Sequence, residues 1–167
     1  RQQINHFERE SRRYPAEQTI IARFAEQVAR WPDQTAVIFE GVTLTYHELN
    51  VQANRLAHTL INHYDIQAEE PVGVLLDRSE WTAVALLGVL KAGGAYLPID
   101  PASPPSRIDY IMEDTACRIV LSEEKYLERQ TKGIDITQTL SDQTADPAEV
   151  GNGRSLAYII YTSGSTG

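Results

Sequence analysis

The chain has 167 residues, of which 42% are hydrophobic and 23% charged, the balance of a globular domain long enough to bury a core. Its net charge of -8, from 15 basic and 23 acidic residues, argues against a nucleic acid partner, whose binding requires a basic patch. The longest apolar stretch, Ala83 to Leu90, is too short to span a bilayer, and the polar start RQQINHFERESRR lacks the apolar core of a signal peptide, so a cytoplasmic setting is expected, with no membrane partner.

In chain order, Arg1 to Gln18 is polar with weak periodicity and reads as a linker or arm. From Thr19 the pattern changes. Ile20, Phe24, Val28 and Trp31 recur at helical spacing, with Thr19 as N-cap and Pro32 as stop. TAVIFEGVTLTY then predicts a hairpin turning at Glu40 and Gly41. Thr45 and Glu48 have capping-box spacing, and Leu49, Ala53, Leu56, Ala57, Leu60 and Ile61 behind them form one apolar helix stripe. A structural role therefore accounts for His47 and Glu48 without catalysis. His58 and His63 lack the i, i+4 spacing of metal ligands and read as solvated surface residues, so no metal site is expected within the chain.

PVGVLLD predicts a buried strand, and the helix after it is capped by Ser79 and ended by Gly93. Because Trp81 to Leu90 is apolar nearly all round, that helix needs cover on several sides, from a large domain or from neighbours outside the chain. AYLPID is a strand, Ser103 with Pro104 opens a helix through RIDYIMED, and CRIVLS is another strand beside Cys117, a structural buried thiol. Strands alternating with helices predict an α/β fold, a mainly parallel sheet with helices on its faces. EEKYLERQTKG and SDQTADPAEVGNGR are expected to be exposed loop or an unresolved crossover.

The last segment, LAYIIYTSGSTG, predicts a strand over Leu156 to Tyr161 that opens into small hydroxyl residues and glycines. Backbone NH groups of such a loop can form a nest for an anion, at the sheet edge where α/β proteins bind ligands. Taken alone, however, a Ser/Gly run is more often simply a turn, and no lysine follows to make a Walker loop.

LTYHELN, LKAGGAYLPID and LAYIIYTSGSTG occur in the order of the first three core motifs of the adenylation domains of nonribosomal peptide synthetases, which the chain resembles. YPAEQTI before FAEQVARWPDQTAVIFEG is similar to the linker between a condensation and an adenylation domain. The resemblance implies that residues 1–18 are that linker arm and that 19–167 are the first part of the large N-terminal domain, incomplete at its C-terminus. It also implies ATP-dependent activation of an amino acid to an aminoacyl adenylate and pyrophosphate, followed by thioester transfer to phosphopantetheine on a carrier domain. Thr162, Ser163, Gly164, Ser165, Thr166 and Gly167 would then contact the ATP phosphates, with Mg2+ shielding charge. Gly93, Gly94 and Pro98 would set shape. No catalytic residue or metal ligand of the family falls within the chain, so residues 1–167 alone are expected to be inactive and unstable, with the final loop disordered without phosphate.

The expected partners are the rest of the adenylation domain, an upstream condensation domain, a downstream peptidyl carrier domain and an MbtH-like protein. An acyl-CoA or aryl-acid ligase of the same superfamily is the nearer alternative, against which the linker run RESRRYPAEQTI argues. A truncated noncatalytic scaffold is the more distant one.

Overall fold

A computed structural model describes residues 18–128 and 133–162. The expected linker arm, 1–18, lies outside the described residues except for Gln18. Helix α1 (Ile20–Arg30) begins where Thr19 accepts the amide NH of Ala22, and it stops at Trp31, directly before Pro32. Strands β1 (Thr35–Phe39) and β2 (Val42–Thr45) form the predicted antiparallel hairpin. Its turn places Glu40 at φ 43° and Gly41 at φ 90°. Two successive left-handed residues suit the twist of a tight hairpin, and glycine takes one of them at no steric cost.

Helix α2 (Tyr46–Tyr64) starts with the capping box: Thr45 Oγ1 accepts from the Glu48 amide, and the Glu48 carboxylate accepts from the Thr45 amide at 2.8 Å. That backbone bond, with the Thr45 hydroxyl, holds the Glu48 carboxyl below its ordinary range. The site is thus a helix start. Thr45→Ala is expected to cost about 1 kcal/mol, read from the thermal midpoint, while Thr45→Ser retains most of the stability.

Strands β3 (Pro71–Leu75), β4 (Ala95–Pro98), β5 (Ile119–Ser122) and β6 (Gly133–Asp135) form a parallel sheet in the order β4-β3-β5-β6. Helix α3 (Glu80–Lys91) connects β3 to β4, α4 (Pro105–Asp114) connects β4 to β5, and the single turn α5 (Glu124–Leu127) follows β5. Strand alternation sends Val72, Val74, Ile119 and Leu121 into a core with α2 and α3, and Leu75, Leu97 and Val120 into a second core with Ile108 and Ile111 of α4. Both faces of the sheet are therefore covered, as a parallel sheet requires.

Four expectations change in detail. Ser79 sits at the N-cap of α3, but its hydroxyl makes no capping bond. The α4 N-cap is Pro104 with Pro105 as first helical residue, one position beyond the expected Ser103, because proline at that place has the right φ and no NH to leave unpaired. Within the chain α2, the hairpin and the sheet supply part of the cover that α3 demands, burying Val84, Ala85, Gly88 and Val89 and leaving Trp81, Leu86, Leu87 and Leu90 half-buried. Finally, the first of the two stretches expected to be loop contains the turn α5, and at its end begins β6, a strand of three residues, too short to show alternation.

Candidate functional site

Beyond β4 the sheet is extended by the segment from Leu156 to Thr162. Instead of a full strand it makes one parallel bridge, Tyr158 with Tyr96. The Tyr96 amide donates to Ala157 O and the Ile159 amide to Tyr96 O, both at 3.1 Å. The rings of Tyr96 and Tyr158 lie 5.6 Å apart. Alternation then splits the segment: Ile159 and Tyr161 pack against the α4 core, whereas Tyr158 and Ile160 are exposed.

Tyr161 anchors the end of this segment. Its hydroxyl donates to the Asp114 carboxylate at the end of α4, and the Tyr110 ring meets it edge-on at 6.4 Å. Accepting that bond, Asp114 pushes the Tyr161 phenol up to about 12, so it remains a neutral donor. The next residue, Thr162, is exposed. Of the six residues singled out for phosphate contact only Thr162 is described; Ser163, Gly164, Ser165, Thr166 and Gly167 lie outside the described residues.

A charged cluster lies at the carboxyl ends of β3 and β5. Lys125 Nζ is 2.5 Å from Asp77 and 2.8 Å from Glu123, and Tyr126 donates to Asp77 at 2.9 Å. The two carboxylates raise the Lys125 pKa, and Lys125 with Tyr126 lowers that of Asp77. Lys125 is thereby neutralised by side chains of its own chain.

No described group of three or more His, Cys, Asp or Glu side chains could hold a metal. Cys117 is buried, its thiol bonded to Ile119 O, in keeping with a structural role. His63 is exposed, but His58 is not the solvated residue expected from sequence: its Nε2 lies 2.9 Å from Ala145 O.

That contact belongs to a strap that sequence reasoning missed. Residues 139–146 run across α2, whose side chains hold the strap backbone: Thr59 donates to Thr139 O, Arg55 to Ser141 O and Asn54 to Thr144 O, each at 2.7 Å. At its end, Asp146 Oδ1 accepts from Lys91 Nζ at 2.7 Å and from Asn50 at 3.3 Å. Desolvation pushes the Asp146 carboxyl up, but the Lys91 bond and charge, with the amides of Asn54 and Asn50, outweigh it and leave it below the ordinary range. The available signal was a polar stripe on α2, Asn50, Asn54 and His58 at successive i, i+4 positions.

Among the described residues no helix is long and apolar enough to cross a membrane. Residues 24–167 match the AMP-binding enzyme family. The chain is 44% identical to tyrocidine synthase 2 of Brevibacillus parabrevis over 167 residues, which cover 97% of this chain and 5% of that protein. Its fold is similar to that of the nonribosomal peptide synthetase FmoA3 in its AMPPNP-bound form, with TM-score 0.80 and 34% identity over 86% of this chain and 16% of that one. The N-terminal subdomain of Klebsiella oxytoca NpsA, in complex with 3-hydroxyanthranilyl-AMSN, gives TM-score 0.76 and 26% identity over 89% of this chain and 38% of that one. The chain thus spans a small part of the curated relatives it matches, and by the match over residues 24–167 it belongs to the AMP-binding enzyme family.

Proposed function

We propose that residues 19–167 form the first part of the large N-terminal domain of a peptide synthetase adenylation domain, with residues 1–18 as the arm from an upstream condensation domain. The observation that carries this reading is the route of the chain: the bridge at Tyr158 and the Tyr161–Asp114 bond lead directly to the exposed Thr162, from which Thr, Ser and Gly alone continue. A donor set of hydroxyls and backbone NH groups, with glycines permitting close approach, suits a polyphosphate.

In the proposed reaction a carboxylate oxygen of the amino acid attacks the α phosphorus of ATP. The bond between the α phosphorus and its bridging oxygen breaks, giving aminoacyl adenylate and pyrophosphate. Thr162 and the residues to Gly167 would hold the β and γ phosphates, stabilising charge that gathers on the leaving group. Magnesium, when bound, would supply further charge neutralisation there. The phosphopantetheine thiolate of a carrier domain then displaces AMP from the acyl carbon, forming the thioester. A cytoplasmic setting and an MbtH-like partner belong to the same reading. The 34% identity to the peptide synthetase FmoA3, also solved in an alpha-methyl-L-serine-AMP bound form, against 26% to NpsA supports amino acids as the substrate class.

The test is amino-acid-dependent exchange of pyrophosphate into ATP by the complete domain. Thr166→Val is expected to weaken ATP use by about 1–3 kcal/mol, the scale of a lost hydrogen bond to a charged group. Unchanged exchange kinetics would remove Thr166 from the phosphate site, and a complete domain with no exchange for any amino acid would refute the reading.

A further inference from the structure

Lys91 lies in the second of the motifs quoted above, yet nothing in the proposed chemistry uses it. Its side chain is 3% exposed, while that of its partner Asp146 is 60% exposed. Replacing a buried ion pair by an apolar residue of similar size is often neutral for stability or even favourable. A sealed ammonium in this place therefore needs an explanation other than stability, and its position supplies one.

Lys91 is the last residue of α3, and Gly93 and Gly94 lead from it into β4, where Tyr96 exchanges hydrogen bonds with Ala157 and Ile159. Through Asp146 the same ammonium fixes the end of the strap, from which the chain runs to those two residues. Between Asp146 and Leu156 the anchoring is lighter: Thr19 donates to Glu149, Val150 rests on Gly93, Asn152 and Ser155 close a local turn, and the Leu156 amide donates to Glu69 at 3.2 Å. Lys91 and Asp146 also line a cavity of about 350 Å³ between the start of α1, the end of α3 and this stretch, whose close packing there is confined to Val150 on Gly93. Lys91 thus touches the strap at one end and, through α3, the strand that carries Tyr96 at the other.

We propose that Lys91 is a positioning residue for nucleotide binding, acting through Asp146 on the segment that carries Thr162. This rests on the reading that the loop from Thr162 holds ATP phosphates. Lys91 touches neither substrate nor phosphate. Its effect is to fix the register in which the chain rejoins the sheet, and with it the place from which the loop departs.

The test uses Lys91→Met in the complete adenylation domain, with three readouts: thermal midpoint, hydrogen exchange at the Ile159 amide, and the dissociation constant of AMPPNP, which needs no knowledge of the amino acid. The expected result is a near-unchanged midpoint, exchange at Ile159 about tenfold faster and AMPPNP binding about tenfold weaker, in the usual range for coupled sites. A folded variant with both Ile159 exchange and AMPPNP affinity unchanged overturns the proposal, as does faster exchange with unchanged affinity. If Lys91→Met does not fold, Asp146→Asn, which keeps volume at the more exposed partner, is judged by Ile159 exchange and AMPPNP affinity alone, its midpoint being expected to fall. Wild-type protein that binds no AMPPNP would instead overturn both the nucleotide reading and the role that rests on it.

Discussion

The Gly88→Val variant is expected to lose about 3 kcal/mol or more of stability, because it places a branched side chain where α2 and α3 touch. A Cβ on Gly88 would stand 2.6 Å from Leu56 Cδ2, 2.8 Å from Cγ and 2.9 Å from Cβ. The first two contacts end on a side chain that can turn, but the third is to an atom fixed to the α2 backbone. The helices must therefore separate. Alanine makes the same contact with less bulk and gains about 1 kcal/mol in helix propensity over glycine, so Gly88→Ala is expected to fall between wild type and Gly88→Val. In a Leu56→Ala background the Cδ2 and Cγ contacts vanish, and the penalty of Gly88→Ala should shrink, giving a favourable coupling in a double-mutant cycle. Urea unfolding of the four proteins measures this. A Gly88→Val midpoint equal to wild type would mean that the close approach of α2 and α3 has been misjudged.

Gly88 also illustrates what the sequence makes legible. That α3 is apolar on nearly every side can be read from WTAVALLGVL, and it correctly demands several neighbours. Which neighbour comes close enough to exclude a Cβ depends on Leu56, on another helix. Signals confined to a few consecutive residues translate well: the hairpin at Glu40 and Gly41, the box of Thr45 and Glu48, the N-cap at Thr19. Signals spread over distance do not. β6 escapes because three residues show no period, and the strap escapes because its bonds join Thr59 to Thr139 and Lys91 to Asp146 across long stretches of chain. His58 is misread for the same reason, since its partner is a backbone carbonyl far along the chain. The phosphate loop is the opposite case. Its residues can be named only through the ordered motifs, because a run of Thr, Ser and Gly has no periodicity of its own and reads equally as a turn.

The two halves of the Lys91–Asp146 pair are expected to respond unequally to removal. Asp146→Ala leaves an ammonium whose side chain is 3% exposed without its carboxylate, and an uncompensated buried charge typically costs about 3–5 kcal/mol. Lys91→Met leaves a carboxylate that is already 60% exposed and can be hydrated, with Asn50 still donating to it. The first variant should be markedly less stable than the second. The pH dependence separates this from ordinary loss of packing. In wild-type protein Asp146 has a folded-state pKa below the unfolded value, so its contribution is present above the unfolded carboxylate pKa and is lost as pH falls through the folded one, a loss that Asp146→Ala lacks. Midpoints of both variants and wild type between pH 3 and 7 test both statements. Equal losses in the two variants at pH 7 would show that Lys91 reaches water and is not the sealed cation on which the strap is fixed.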